Sequence, residues 1–229
     1  MNPYSITQFN AEVSGEANLA AVLAAYGQLT PDFQLENWAA NIRARLDAGQ
    51  PYWDLAAAIR QLAFRLQPAS YMEIGIRRGK SMAMVAATCP ETAIFGFDLW
   101  MTPYGGAENP GPDFVRSEMA RLGHRGPLTL TSGDSQETVK EFSRLNPDIR
   151  FDLITVDGDH SDEGAWRDLT NAASLIAPGG FIVFDDLIHP AHTLLGVYRR
   201  FEDEYSDQFE FSENLADHNG TSVFRRREI

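Results

Sequence analysis

From residue 70 onward, the sequence alternates short apolar runs with segments of helical spacing, and this alternation constrains the fold more than any other feature. The strand-like runs are SYMEIGI (70–76), AIFGFDL (93–99), LTLTSGD (128–134), FDLITVDGD (151–159) and FIVFDDL (181–187). Strands that are joined by helical crossovers pair in parallel, and such a sheet is covered by helices on both faces. We therefore predict an α/β fold with a doubly wound, mostly parallel sheet.

Two further strand-like runs close the sequence, FEFSENL (209–215) and TSVFRRR (221–227). Asn219-Gly220 lies between them, and Asn-Gly between two such runs is a strong signal for a hairpin. A terminal antiparallel hairpin is therefore predicted at one edge of the sheet.

The first 66 residues have a different character, because they are rich in Ala and Leu at helical spacing. The helices predicted there cover 18–29, 33–49 and 52–66. We interpret 1–66 as an N-terminal helical extension and 67–229 as a second domain. The extension is expected to shape a substrate pocket or a dimer contact, so a homo-oligomer formed through these helices is possible.

Composition excludes several classes of protein. A total of 19 Lys and Arg against 32 Asp and Glu gives a net charge of −13, which disfavours nucleic acids and anionic membrane surfaces as partners. Cys89 is the single cysteine, so neither an intrachain disulfide nor a cysteine-built zinc site is expected. The chain lacks a signal-peptide pattern and an apolar run of about 18 residues. We therefore expect a cytoplasmic protein.

Almost every predicted strand ends in a carboxylate. The acidic residues at these positions are Glu73, Asp98, Asp134, Asp157, Asp159, Asp185 and Asp186. Ligands of doubly wound sheets bind beyond the carboxyl ends of the strands, so these side chains are expected along one rim. Gathering like charges is costly unless cations or hydroxyl-bearing ligands meet them. The alternative is that some of them are turn or N-cap residues.

The loop after the first strand reads Glu73-x-Gly75-x-x-x-Gly79-x-Ser81, and its glycines allow close approach of a ligand. This spacing is not G-x-G-x-x-G, which disfavours a nucleotide-dependent oxidoreductase. Asp98 ends the second strand, where a carboxylate can accept hydrogen bonds from both hydroxyls of a ribose. The third strand ends in Asp134-Ser135, a pair that can meet an adenine edge.

This combination resembles the class I S-adenosylmethionine-dependent methyltransferases, whose fold is Rossmann-like with a terminal antiparallel edge. The resemblance covers about residues 65–229. It implies S-adenosylmethionine as the cofactor, with the two glycines beneath it. The cofactor-binding residues that it implies are Glu73, Gly75, Gly79, Ser81, Asp98, Asp134 and Ser135.

The second half contains VDGDHSDEG (156–164) and PGGFIVFDDLIHPA (178–191), and is similar to metal-assisted O-methyltransferases of the sugar and catechol types. That resemblance implies a divalent-metal site formed by Asp157, Asp185 and Asp186. Three carboxylates from neighbouring strands form a hard oxygen site that suits Mg²⁺, Mn²⁺ or Ca²⁺ rather than zinc, and Mg²⁺ is the favoured ion. Such an ion can hold two vicinal hydroxyls of a substrate and lower the pKa of the one to be methylated.

The predicted catalytic residues are Asp157, Asp159 and His160. His160 is the favoured base, with Asp159 as its competitor. The run His189-Pro190-Ala191-His192 suggests a second metal site, but a turn before a helix is the favoured interpretation. The segment 102–113, rich in Gly and Pro, is interpreted as a flap over the substrate.

The sequence therefore predicts an S-adenosylmethionine-dependent O-methyltransferase of secondary metabolism. Its expected partner is a small hydroxylated acceptor, such as a sugar. Two alternatives remain: a metal-independent class I methyltransferase and a catalytically silent subunit that only binds the cofactor.

Overall fold

The computed structural model describes residues 4–102 and 109–228. The strands are β1 (Ser70–Ile74), β2 (Ala93–Asp98), β3 (Leu128–Ser132), β4 (Phe151–Val156), β5 (Ile176–Phe184), β6 (Phe209–Asn214) and β7 (Thr221–Arg226). Within these residues they form a seven-stranded sheet in the order β3-β2-β1-β4-β5-β7-β6. β1 to β5 pair in parallel, and β7 pairs antiparallel with both β5 and β6. The predicted fold class is confirmed, with its Rossmann-like doubly wound sheet and terminal hairpin.

Helices cover both faces of this sheet. They are α1 (Ile6–Glu12), α2 (Glu16–Tyr26), α3 (Phe33–Asp47), α4 (Leu55–Leu66), α5 (Met82–Thr88), α6 (Pro112–Arg121), α7 (Ser135–Leu145), α8 (Asp162–Leu175) and α9 (Leu195–Tyr205). Successive residues of a strand point to opposite faces. Tyr71 packs with apolar side chains of α1 to α6, whereas its neighbour Met72 packs with those of α7 to α9. Within the described ranges, no helix combines the length and the apolarity needed to cross a bilayer.

The N-terminal helices pack on the first of these faces. Asp32 and Asp54 cap α3 and α4, and Ser5 begins α1 with a capping box. The sequence did not predict α1, because its short segment holds few apolar residues. Asn18 of α2 donates a hydrogen bond to the backbone oxygen of Ala57 in α4 at 3.0 Å. The division between 1–66 and 67–229 stays a prediction, since these helices share one apolar cluster with the sheet.

The connection between β6 and β7 is longer than a two-residue turn. The last pair of the hairpin is Asn214 with Thr221, so the loop spans residues 215–220. Gly220, at φ 79°, turns the loop back on the end of β5, where its oxygen accepts from the Leu187 N–H at 3.0 Å. Asn219 is thereby brought to the strand-end rim, a position that a tight turn would not have allowed.

Candidate active site

A cavity of about 900 Å³ opens at the carboxyl ends of the parallel strands. Loops that follow the strands line one part of it, and α2 to α4 line another. In open α/β sheets, this crevice is where ligands bind. The predicted site residues that line it are Gly75, Ser81, Asp98, Asp134, Ser135, Asp157, Asp159, His160, Asp185 and Asp186. Glu73 and Gly79 are the two predicted residues that do not line it.

Glu73 is fully buried and acts through its neighbours. Its carboxyl group accepts hydrogen bonds from the hydroxyls of Tyr71 and Ser81, each at 2.5 Å. Burial raises the pKa of Glu73 to about 8, and the two hydroxyls oppose this rise. Glu73 therefore orients Ser81, which does line the cavity.

The two glycines of the first loop serve different contacts. Gly75 and Gly79 have φ values of 85° and 73°, in the region that favours glycine. A Cβ atom on Gly75 would lie 1.9 Å from the backbone oxygen of Asp157, so the chain after β4 packs directly on this residue. A Cβ atom on Gly79 would lie 3.1 Å from the Val115 side chain in α6. Gly75 thus joins two strand ends, and Gly79 lets α6 approach the loop.

Asp98 orders the loop that follows β1. Its Oδ2 atom accepts from the backbone N–H groups of Ile76 and Arg77, both at 2.7 Å, and its Oδ1 atom accepts from the backbone N–H of Trp100 at 2.5 Å. The carboxylate also lines the cavity. Each carboxylate oxygen can accept more than one hydrogen bond, so Asp98 retains acceptor capacity for a ligand.

The Asp134-Ser135 pair begins α7. Asp134 accepts from the Gln136 backbone N–H at 2.9 Å, which is the N-cap role held open as the alternative. Asp168 of α8 is fully buried, and the sequence did not single it out. Burial raises the pKa of Asp168 to about 6, while the Ser135 hydroxyl and the backbone of Asp159 oppose the shift. Asp168 lies against the loop after β4, because a Cβ atom on Gly158 would lie 2.9 Å from its Oδ2 atom.

One carboxylate and two imidazoles converge beyond the ends of β4 and β5. The Oδ2 atom of Asp186 lies 3.2 Å from His160 Nε2 and 3.0 Å from His192 Nε2. Asn219 donates to the other oxygen of Asp186, Oδ1, at 2.8 Å. His160 Nε2 is also 3.6 Å from Asp157 Oδ1. Asp186, His160 and His192 each offer a ligand atom within 4.8 Å of the others, so they could hold a metal ion.

The acids at this end of the cavity raise one another's pKa by charge repulsion. Burial raises the pKa of Asp157 well above its usual range, and Asp186 adds to the rise. The pKa of Asp185 is raised in the same way, by burial first and then by Asp157. Burial lowers the pKa of His160, so its imidazole is neutral at neutral pH and can ligate a metal or accept a proton. A cation bound here would relieve the repulsion between the acids.

Two of the predicted residues at this end have other partners. Asp185 accepts from the Thr221 hydroxyl at 2.5 Å. Asp159 accepts from the Ser161 backbone N–H at 2.8 Å, at the start of α8. Among the described residues, the ligand atoms that meet are those of Asp186 and two histidines, and not those of the three predicted carboxylates.

His192 is a site residue that sequence reasoning set aside. The run 189–192 is a turn before α9, as predicted, but its side chains join the site. The His192 ring stacks between those of His160 and His189, with ring centroids 4.0 Å apart in each pair. The signal that could have found it was present, namely a pair of histidines shortly after Asp185-Asp186.

The loop after β1 also brings basic side chains to the cavity. Arg78 Nε and Lys80 Nζ contact the two oxygens of Asp32, at 2.8 Å and 2.7 Å. The Lys80 ammonium lies 4.6 Å from the centre of the Trp38 ring, within the range of a cation–π contact. These contacts attach the start of α3 to the loop.

The N-terminal helices form a wall of the cavity from aromatic and polar side chains. The residues that they contribute are Tyr26, Gln34, Trp38, Asp54, Leu55 and Ala56. Tyr52 donates to Asp54 at 2.7 Å and so holds that carboxylate in place. The sequence predicted this wall only as a region, because no motif marks its individual residues.

The segment 102–113 is described only in part. Residues 103–108 of this predicted flap lie outside the described residues. Met101 and Asn109, on either side of them, line the cavity. The flap interpretation stays a prediction.

A comparison with protein families shows which family this chain belongs to. Residues 72–187, which run from β1 past the end of β5, match the family described as a methyltransferase domain. The chain belongs to this methyltransferase family. The matched range contains all the predicted site residues, whereas His189, His192 and Asn219 lie beyond its end. The match confirms the methyltransferase that the motifs predicted. No protein of curated function matches the methyltransferase by sequence.

Solved structures with the same fold include three O-methyltransferases. TomG from Streptomyces achromogenes, involved in tomaymycin synthesis and solved with SAM, is 18% identical with a TM-score of 0.60, covering 87% of this chain and 92% of that one. An O-methyltransferase from Bacillus cereus, solved with SAH, is 14% identical with a TM-score of 0.60, covering 95% and 94%. CalS11, a TDP-rhamnose 3'-O-methyltransferase of calicheamicin biosynthesis, is 21% identical with a TM-score of 0.57, covering 97% and 95%. At these identities the likeness shows the shared fold.

Proposed function

We propose that this methyltransferase transfers the methyl group of S-adenosylmethionine to a hydroxyl of a small molecule, assisted by a divalent cation. The observation that carries the proposal is that one cavity holds both the loop after β1 and the Asp186 cluster beyond β5. A methyl donor and a cation-bound acceptor could therefore meet there. The O-methyltransferases TomG and CalS11 share this fold, which supports oxygen as the acceptor atom.

The ends of β1, β2 and β3 are the proposed cofactor side. Asp98 would accept from the ribose hydroxyls, and Asp134 with Ser135 would face the adenine. Gly75 and Ser81 line the same part of the cavity and would hold the amino-acid end. A rim of carboxylates also suits the positive sulfonium of S-adenosylmethionine. The neighbouring structures that carry SAM or SAH support this cofactor.

The ends of β4 and β5 are the proposed cation side, and their donor set fits a divalent ion. Asp157 and Asp186 supply carboxylate oxygens, and His160 supplies a neutral imidazole nitrogen at 3.2 Å from Asp186. Asp185 adds a buried carboxyl group to the same region. A bound divalent cation would lower the pKa of a substrate hydroxyl and hold a neighbouring hydroxyl beside it.

Methyl transfer is an in-line substitution. The acceptor oxygen forms a bond to the methyl carbon while the carbon–sulfur bond breaks, and the electron pair remains on sulfur as a neutral thioether. The main task of the chain is therefore to align the two partners and exclude water. Trp38, Leu55 and Tyr26 line the cavity and would hold the acceptor. A small molecule with two adjacent hydroxyls, such as a sugar, suits this mixture of aromatic and polar groups.

The proposal is tested by binding and turnover together. We expect S-adenosylhomocysteine to raise the melting temperature and to bind in calorimetry, both with and without a divalent ion. Transfer of a labelled methyl group to a panel of sugars and catechols should stop on addition of EDTA, while S-adenosylhomocysteine still binds.

The other possible results would each favour a different function. Turnover that survives EDTA would favour the metal-independent methyltransferase. Tight binding of S-adenosylhomocysteine without turnover on any acceptor would favour the silent subunit. Binding of a nicotinamide cofactor in place of S-adenosylhomocysteine would refute the proposal.

A further inference from the structure

The residues that converge beyond β5 differ from those that the motifs predicted, and the difference concerns the ligand atoms. Two of the three meeting groups, His160 and His192, present imidazole nitrogens, and only Asp186 presents oxygen. We propose that His192 is a metal ligand, and that the cation site of this protein selects a first-row transition ion over Mg²⁺. This inference rests on the proposed function, whose cation it specifies.

The distances suit ligands of one ion. Metal–nitrogen and metal–oxygen bonds in such sites are about 2.1 Å long, so ligands at right angles lie about 3.0 Å apart. Asp186 Oδ2 lies 3.2 Å from His160 Nε2 and 3.0 Å from His192 Nε2. The same oxygen atom therefore faces both nitrogens, as it would if all three shared an ion.

The surrounding groups hold these ligands in place. Asn219 donates to Asp186 Oδ1 at 2.8 Å, which leaves Oδ2 directed at the histidines. The His192 ring is stacked against His160 on one side and His189 on the other, at 4.0 Å each. Contacts of this kind orient metal ligands and sustain their affinity. The loop of the terminal hairpin and the turn before α9 thus both contribute to the site.

The donor atoms decide which ion is preferred. Imidazole favours iron, cobalt, nickel and zinc, whereas Mg²⁺ prefers sites made of oxygen. Two imidazoles and the carboxylate of Asp186 form a donor set typical of a transition ion with open positions, and Asp157, 3.6 Å from His160 Nε2, lies beside it as a further carboxyl donor. Those open positions would be available to the acceptor hydroxyls. His160 would then act as a ligand, and the acceptor hydroxyl, its pKa lowered by the ion, would give its proton to Asp159, which lines the same cavity, or to water.

The test uses metal binding in the full chain saturated with S-adenosylhomocysteine. Co²⁺ and Mg²⁺ are titrated by calorimetry, and Co²⁺ is also followed by its visible absorption. We expect Co²⁺ to bind at least about 100-fold more tightly than Mg²⁺. In the Mn²⁺-loaded protein, pulsed electron paramagnetic resonance should show coupling to histidine nitrogen.

Two variants test whether His192, and not the neighbouring His189, binds the ion. His192→Phe keeps an aromatic ring in the stack but removes the nitrogen, and should weaken Co²⁺ binding by about 100-fold or more. His189→Phe is the matched control from the same turn. It should change Co²⁺ affinity by less than about threefold, because His189 Nδ1 accepts from the Ala191 backbone N–H at 3.1 Å and the Phe ring keeps the stack with His192.

Three outcomes would overturn the inference: equal affinity for Mg²⁺ and Co²⁺, unchanged Co²⁺ affinity in His192→Phe, or no nitrogen coupling to bound Mn²⁺. Failure of the methyltransferase proposal would show separately, because S-adenosylhomocysteine would then not bind in the first step. Binding of S-adenosylhomocysteine without binding of any divalent ion would refute the metal site alone.

Discussion

The two halves of the strand-end rim use the same kind of residue in opposite ways. Beyond β1 and β2, the carboxyl groups are met by donors of their own chain: Asp98 by three backbone N–H groups, and Glu73 by two hydroxyls. Beyond β4 and β5, Asp157 and Asp186 face each other and two histidines. A carboxylate at a strand end is therefore a structural acceptor where backbone N–H groups point at it. It is available as a metal ligand where acids and imidazoles surround it instead.

The largest effect is expected when a carboxylate is neutralised in the second half. Asp186→Asn removes the charge and retains a residue type that tolerates its φ of 61°. Methyl transfer should fall by roughly 10³-fold, which corresponds to about 4 kcal/mol. The affinity for S-adenosylhomocysteine should stay within about threefold of the wild-type value. Steady-state kinetics and calorimetry measure the two quantities.

Asp98→Asn is the matched change in the first half, and its expected effect is reversed. It should weaken binding of S-adenosylhomocysteine by about tenfold or more, because hydrogen bonds to a charged group are lost. If both variants lost cofactor affinity equally, the division of the rim into a cofactor half and a cation half would be wrong.

Gly75 lies where the loop after β1 packs against the chain after β4. An added methyl group at this position should force these two segments apart. Gly75→Ala combines a φ of 85° with a Cβ atom 1.9 Å from the Asp157 oxygen. We expect a loss of about 3 kcal/mol in the free energy of unfolding, from backbone strain and overpacking. Gly123→Ala is the control, because its φ is 79° and nothing lies within 4 Å of the added atom.

Urea denaturation of both glycine variants measures the difference. The control should lose only about 1 kcal/mol, the cost of the backbone conformation. Equal losses in the two variants would show that the contact between the loop after β1 and the chain after β4 contributes nothing to stability.

Glu73 tests whether the first half is structural. Glu73→Ala removes the acceptor of the buried Tyr71 hydroxyl and of the half-buried Ser81 hydroxyl, and should cost about 2 kcal/mol, whereas Glu73→Gln keeps an acceptor and should cost less. The raised pKa, about 8 in the folded chain against 4.5 ordinarily, means that the native state retains a proton that the unfolded state has lost. Wild-type stability should therefore fall as pH rises from about 4.5 to about 8.

The Gln variant cannot titrate at this position, so it should lack this part of the pH dependence. Denaturation of the wild type and Glu73→Gln at several pH values measures it. Parallel pH profiles for the two proteins would contradict a buried, protonated Glu73.

The pH dependence of stability should also report a second buried acid, Asp168 of α8. Its pKa is about 6 in the folded chain against 3.8 ordinarily, so raising the pH through this window should destabilise the wild type. Asp168→Asn removes the charge and keeps nearly the same size and shape of side chain. The stability of the variant relative to the wild type should increase by about 2 kcal/mol between pH 4 and pH 7. A relative stability that stayed constant over this range would show that Asp168 titrates normally.

Much of the site could be predicted because it follows from strand periodicity. Each apolar run ends at a known residue, and parallel strands bring those ends to one rim. Asp98, Asp157 and Asp186 were found in this way. Residues from outside the strand ends were not found, since Tyr26 and Trp38 carry no motif and reach the cavity only through helix packing.

By itself, the sequence determined the order of the strands and helices, the terminal hairpin and the acidic strand ends, because these depend on local periodicity and on residues close in the chain. Tertiary structure decided what each acid does. Asp98 faces backbone N–H groups because the loop after β1 folds over it, and Asp186 meets His192 and Asn219 because a turn and a hairpin loop close on the same strand end. Such contacts depend on side-chain direction and on long-range packing, and residue spacing alone does not encode them.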